Sequence, residues 1–360
     1  MKLYCIAGEA SGDLHGSNLI KALRHRAPEV QIRAWGGDLM SEAGAEVVKH
    51  YRELAFMGFV EVVKNLRTIF RNLELCKNDI RAFQPDVLVL IDYPGFNLRI
   101  ARWAKAQGIR VVYYISPQIW AWHTSRVKQI RRDVDEMLVI LPFEADFYKK
   151  HQVNVHFVGH PLLDALPEDG DVQKSEPPSI ALLPGSRRQE VSRMLPTMLE
   201  ASKYFPEYQF IIAASAALPM EWLETFTAAY PNVRLEQGRT YDIIRAARLA
   251  VVKSGTSTLE TALLGTPEVV VYAGSPVSYA IARRLIQVKY ISLVNLILDR
   301  PLVQELIQQE LNVENLRAAI SDLLKKETQA HLQEGYKALR MVLGEKGASG
   351  RAADIILRQA

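Results

Sequence analysis

Cysteine is nearly absent: Cys5 and Cys76 are the two thiols among 360 residues. That excludes a disulfide framework, and no C-x-x-C occurs to hold zinc. Long apolar runs are missing too. No stretch approaches the roughly 18 uncharged apolar residues of a membrane span. The apolar part of the opening MKLYCIAGEASGD is too short for a signal peptide. Charge of one sign is not in excess: 44 basic against 40 acidic residues leave +4, too little to demand nucleic acid. Neither G-x-G-x-x-G nor G-x-x-x-x-G-K-[ST] is present, which argues against a nicotinamide or P-loop site. The eight histidines are read as offering no metal pair, neither H-x-x-x-H nor H-E-x-x-H. Together these absences predict a cytoplasmic globular protein with no resident metal or cofactor. The composition, 49% hydrophobic and 23% charged, fits that class. At about 150 residues per domain the length predicts two domains.

Short apolar runs alternate with amphipathic stretches. Strands are predicted over residues 2–7, 30–35, 86–91, 111–115 and 137–141, and helices over 14–26, 60–83, 96–107 and 144–150. The run DVLVLI at 86–91 has no polar alternation, as in a parallel strand buried on both faces. Residues 166–178 (LPEDGDVQKSEPP) are polar with three prolines and read as a linker. The alternation then restarts, with strands over 180–183, 209–213, 233–235, 249–252 and 268–272, helices between them, and a helical tail from 313. This predicts an α/β protein of two doubly wound parallel sheets facing across a cleft. The expected domains are 1–165 and 179–340, with a terminal helix over 341–360 that packs back on the first. Ligands are expected at the carboxyl ends of strands.

The chemistry-bearing residues cluster at those ends. Gly8-Glu9-Ala10-Ser11-Gly12-Asp13 follows the first strand; it reads as an anion-facing turn or as a plain turn in which Ser11 or Asp13 caps the next helix. Asp92 follows DVLVLI, where a partly apolar setting suits a general base; the alternative is a cap on the helix near Phe96. Pro184-Gly185-Ser186-Arg187-Arg188 opens a helix and predicts an anion site gripped by Arg187, or a capped helix with solvated arginines. Ser254-Gly255-Thr256-Ser257-Thr258 opens another, with Glu260 placed either to accept bonds from ribose hydroxyls or to close a capping box. Asp133-Val134-Asp135 resembles a metal-binding D-x-D but reads as a solvated helix end, and His15 reads as structural. Residues 54–71 are unusually apolar. They form a core helix or a bilayer patch of Phe59, Val62, Val63, Leu66, Ile69 and Phe70, with Lys64, Arg67 and Arg71 toward anionic headgroups.

In order along the chain stand GEASGD, LAFMGFVEV, IDYPGFN, YYISPQIWAW, LPFE, FVGHPLLD, LLPGSRRQEV, KSGTSTLE, YISLVNL and VQELIQ. This series resembles the lipid-A-disaccharide synthases, glycosyltransferases of the GT-B class, over residues 5–308. The resemblance implies two Rossmann-like domains and a metal-free reaction. It implies that UDP-2,3-diacylglucosamine and 2,3-diacylglucosamine 1-phosphate (lipid X) are joined into a β-1,6-linked disaccharide 1-phosphate on the inner membrane surface. A homodimer is left open. Asp92 then matches the essential aspartate. Arg187, Ser186, Gly185, Ser254, Gly255, Thr256, Glu260 and Asn295 fall on the UDP side, and Ser11, Gly12 and Asp13 on the acceptor side. Two departures stand out. Gly95 replaces a common aspartate, leaving Asp92 as sole base, and Val294 replaces a proline, which predicts a less rigid loop before Asn295. The rival readings are a peptidoglycan N-acetylglucosaminyl transferase, a UDP-sugar 2-epimerase, or a UDP-sugar-binding protein without chemistry.

Overall fold

A computed structural model describes residues 1–53, 66–122, 126–167, 174–275, 279 and 289–359. The chain divides into two compact units, Met1–Ala165 with Leu343–Ala360, and Leu166–Val342. Part of the predicted linker (168–173) lies outside the described residues. Just beyond it, Lys174 Nζ donates to the main-chain oxygens of Arg245 (2.9 Å) and Ala247 (2.8 Å), tying that stretch to the second unit.

The first unit holds seven parallel strands: β1 (Lys2–Ala7), β2 (Gln31–Gly36), β3 (Glu46–His50), β4 (Val87–Ile91), β5 (Arg110–Tyr114), β6 (Glu136–Val139) and β7 (Val155–Phe157), in the order β3-β2-β1-β4-β5-β6-β7. The second holds β8 (Ser179–Leu183), β9 (Gln209–Ala214), β10 (Val233–Gln237), β11 (Leu249–Lys253), β12 (Glu268–Tyr272) and β13 (Gln304–Ile307), in the order β10-β9-β8-β11-β12-β13. Both repeat the doubly wound order that runs outward from a central strand and then reverses. All five residues of VLVLI in β4 are fully buried. Helices cover both faces of such a sheet, so no position can afford polarity.

Strands β3, β7 and β13 escape the sequence pattern, and all three are edge strands. An edge strand is solvated along one side, so EVVKH in β3 and QELI in β13 mix charge with apolar residues. The first helix runs Ala10–Arg26, four residues earlier than its apolar stripe indicates. Only Gly8 and Glu9 therefore separate it from β1. Gly8 leaves room for Tyr93, whose ring lies 2.3 Å from where a Cβ would stand.

The helix Ala348–Leu357 packs on Ala10–Arg26, with Arg26 Nε 2.5 Å from Asp354 Oδ1. Its start is held by Asp164, whose carboxylate accepts from Gly347 N (2.5 Å) and Ser349 N (2.9 Å). Replacing Asp164 with Ala should cost about 1–2 kcal/mol in urea unfolding, the usual worth of a lost cap. An unchanged midpoint would show that the carboxylate does not hold the helix.

Candidate active site

Parallel pairing sets Ala7 beside Ile91, so the turn after β1 and the turn after β4 emerge side by side. This is the point where the strand order reverses. Helices leave the sheet in opposite directions there and open a crevice. Asp92 and Tyr93 sit there with φ of 46° and 50°, and Ile115, at the end of β5, has φ 66°. Three non-glycine residues in the left-handed region on adjacent strand ends store strain that the surroundings must hold. Asn97 Nδ2 donates to Asp92 O (2.8 Å), Tyr113 Oη donates to the same oxygen (2.6 Å), and Asp92 N donates to Tyr114 O (3.1 Å). The main chain of Asp92 is thus clamped, and its carboxylate is not used as a helix cap.

Burial, with a smaller push from the neighbouring Glu9 carboxylate, raises the Asp92 carboxyl to about 6. Glu9 corrects one expectation: Asp92 is not the sole acid of this crevice. Sequence reading passed over Glu9 because nothing local distinguishes it; the β1–β4 pairing brings it to Asp92. Ser11 is exposed at the crevice rim, and Gly12 packs on Ala7 and Ile91. Asp13 turns away from it. Its buried carboxylate accepts from Gly37 N (2.7 Å), Met40 N (3.1 Å) and Leu39 N (3.2 Å), so it caps the neighbouring helix Asp38–Glu42 rather than its own.

In the second unit Leu183 pairs with Val252, so the turns after β8 and β11 are likewise adjacent. Arg187 is the N-cap of Arg188–Ser202, with its side chain 56% exposed and free to reach a ligand. Gly185 (φ 109°) presses on Glu190, whose oxygen lies 2.7 Å from where a Cβ would stand. Glu190 also pairs with Lys253 (3.0 Å) and lies 3.8 Å from Arg187. A carboxylate therefore sits between two cations at the helix ends, the arrangement an incoming diphosphate would compete with. Ser186 is exposed beside it, while Arg188 stacks over Trp222 at 5.3 Å.

Gly255 caps the helix Thr256–Leu263 with no side-chain acceptor, leaving the first-turn N–H of exposed Thr256 directed outward. Ser254 is engaged elsewhere, donating from Oγ to Ile291 O (2.7 Å) and from N to Val271 O (2.9 Å). Glu260 forms no capping box; Tyr241 Oη donates to it at 3.0 Å, and burial raises its pKa. Asn295 is interior. Nδ2 donates to Val303 O (2.8 Å) and Glu305 (2.9 Å), and Oδ1 accepts from Val303 N (2.9 Å). Both amide hydrogens are spent there, so Asn295 positions the segment that receives Ser254 rather than presenting a donor to phosphate. Val294 is fully buried inside the helix Leu293–Leu298, so no loop precedes Asn295 to be loosened.

The remaining candidates resolve structurally. Asp133 is buried against Arg132 (2.6 Å), not solvated, and Asp135 accepts from Val111 N. His156 and His160 do stand four apart, a spacing the histidine reading overlooked. His156 pairs with Glu136 at 2.8 Å while His160 is buried, and no metal-ligating cluster exists among the described residues. His15 is buried beside His160, both held neutral by desolvation. Of the apolar patch, Phe59, Val62 and Val63 lie outside the described residues, as does the side chain of Leu66. Within Leu66–Phe83, Ile69 packs on the core whereas Phe70 is 62% exposed. Among the described residues no helix is long and apolar enough to cross a membrane.

Two Rossmann-like parallel sheets of the same strand order define the GT-B glycosyltransferase fold. The glycosyltransferase of kitacinnamycin shares it at TM-score 0.67 and 16% identity, covering 99% of this chain and 98% of that one. A UDP-GlcNAc 2-epimerase from Neisseria meningitidis shares it at TM-score 0.66 and 14% identity, covering 99% of this chain and all (100%) of that one. Identities this low speak for the fold alone. The family model described as Lipid-A-disaccharide synthetase matches residues 3–358. Lipid-A-disaccharide synthases of Syntrophus aciditrophicus (42% identity, 98% of this chain and 96% of that one) and Geobacter metallireducens (40%, 99% and 96%) are similar throughout. The chain belongs to the lipid-A-disaccharide synthase family, and is thus a glycosyltransferase of lipid A biosynthesis.

A raised carboxyl costs native stability only once it ionises. The cost is absent below the ordinary value of 3.8 and complete above about 6. Asp92→Asn should therefore stabilise the fold by about 2–3 kcal/mol at slightly alkaline pH, with the gain fading on acidification through that window. Denaturant unfolding at several pH values measures this; a pH-independent difference would contradict the burial of the carboxyl.

Proposed function

We propose that the enzyme joins UDP-2,3-diacylglucosamine to 2,3-diacylglucosamine 1-phosphate by one inverting displacement. The acceptor 6-hydroxyl attacks the anomeric carbon opposite UDP. Its proton passes to Asp92, the C–O bond to the diphosphate breaks, and UDP leaves with the electron pair. The observation that carries this reading is Asp92 itself: a carboxyl on a clamped main chain, raised to about 6, poised between base and acid near neutrality. Glu9, one turn away at the adjacent strand end, keeps Asp92 basic.

The second half of the chemistry falls to the turns after β8 and β11. Arg187 takes the diphosphate charge by a two-pronged grip, displacing Glu190, and Lys253 adds a second cation. The N-terminus of Thr256–Leu263 contributes oriented amides that need no reorganisation as the charge develops. Glu260, held by Tyr241, is placed to accept from ribose hydroxyls. Phe70 projects from a helix whose other face is core, with Arg67 and Arg71 also exposed, which suits a peripheral anionic bilayer where acylated substrates reside.

Incubation with both lipids followed by mass analysis should yield the disaccharide 1-phosphate and UDP. Turnover of UDP-N-acetylglucosamine in their place would favour a peptidoglycan-type transferase or an epimerase. Saturable UDP binding without product would favour a binding protein. Asp92→Asn should abolish turnover while UDP still binds, and kcat/KM of the parent should fall on acidification through about pH 6. Arg187→Ala should lower the rate by about 10²–10³ and weaken UDP binding too. Near-parental turnover by Asp92→Asn would remove it as the base. Phe70→Glu should reduce retention on anionic vesicles without loss of fold, since most of the ring is exposed; unchanged retention would sink the bilayer reading.

A further inference from the structure

Glu190 is an acid set inside a cluster of groups that suit an anion. It stands in the first turn of the helix Arg188–Ser202, where the helix N-terminus favours a negative charge. Its two oxygens face different ways. Oε1 lies 3.0 Å from Lys253 Nζ and 3.8 Å from Arg187 Nη1. Oε2 lies over the turn after β8, 2.7 Å from where a Cβ on Gly185 would stand. Lys253 Nζ in turn lies 3.7 Å from the corresponding point on Gly255, which opens the helix Thr256–Leu263. One carboxylate therefore occupies the space between two strand-end turns and two cations. Its side chain is 18% exposed and that of Lys253 is 22% exposed, so the pair is sheltered yet open to a ligand.

The way Glu190 is held differs from that of the acids that build the frame. Asp13 and Glu144 are fastened by main-chain amides. Among the described residues no main-chain amide donates to Glu190; its partners are the two cations. Such ion pairs are individually weak and easily exchanged. Rotation of the side chain would uncover Arg187 and Lys253 without breaking a bond of the helix.

We propose that Glu190 is a tethered competitor for the diphosphate. It neutralises Arg187 and Lys253 when no anion is bound, swings out as the diphosphate enters, and returns to displace UDP after transfer. This rests on the reading that these two turns bind UDP, and adds to it the residue that sets how long UDP stays. A UDP-sugar and UDP present the same diphosphate, so a cradle of bare cations would grip substrate and product alike and retain the product. A carboxylate on the same helix loosens both, because the bound diphosphate must do without part of the cationic charge and tolerate a nearby like charge.

The test is titration of the full chain and of Glu190→Gln with UDP, inorganic pyrophosphate and uridine, with release of UDP followed by stopped-flow displacement. Glutamine keeps the length and the helix position and removes the charge. Glu190→Gln should bind UDP and pyrophosphate about tenfold more tightly, chiefly through slower release, and uridine as the parent does. In turnover, KM for the UDP-sugar should fall and inhibition by added UDP should strengthen. Lys253→Met breaks the same ion pair from the other side and should bind UDP more weakly, so loss of the pair alone does not produce the tightening. A carboxylate that serves to hold the cations in place predicts the reverse, weaker UDP binding in Glu190→Gln. Unchanged or weaker UDP binding in that variant, equal tightening toward uridine, or tightening in Lys253→Met would each overturn the proposal. A parent that binds UDP no better than uridine would instead remove the diphosphate reading of these turns, and the proposal with it.

Discussion

Desolvation of the strand ends is the constraint from which the chemistry follows. The central strands of each sheet are covered on both faces, so every polar side chain they carry must emerge at a terminus. At the carboxyl termini beside the reversal of strand order, helices diverge and leave room for a ligand. A carboxylate placed there is wet on one side and dry on the other. Asp92 is in that position, and burial there raises its pKa, the property on which its proposed role as base rests. The left-handed backbone at Asp92 and Tyr93 is the strain that accompanies this placement, and the bonds from Asn97 and Tyr113 hold it.

The second unit uses the same topology for the opposite charge. Its two central turns offer Arg187, Lys253 and a helix N-terminus, with Glu190 lodged among the cations. An internal carboxylate keeps such a cradle from collapsing or binding indiscriminately, because an anion must outcompete it. A diphosphate, with more charge and more acceptor oxygens, can do so. One fold repeated thus places a buried acid at one set of strand ends and a cationic cluster at the other by changing only the residues there.

Several residues that the motifs assign to the site instead build its frame. Asp13 fixes the turn after β2, and Asn295 with Glu305 fixes the segment that accepts from Ser254. Their amides and carboxylates are consumed by the backbone, as buried polar groups generally are. A motif of contiguous residues mixes those that touch a ligand with those that hold the loop, and spacing does not separate the two.

The sequence alone determined the class of fold, because uninterrupted apolar runs such as VLVLI and IALL leave no other burial than a covered parallel sheet. It also determined where chemistry stands, since glycine, serine, arginine and acid concentrate directly after those runs. Edge strands β3, β7 and β13 were hidden, because solvation of one side erases the apolar signal. Only tertiary structure decided which neighbours meet. Glu9 reaches Asp92 through the pairing of β1 with β4, and Glu190 reaches Lys253 through β8 with β11. Charge coupling and desolvation depend on distance in space, and sequence separation carries no record of it.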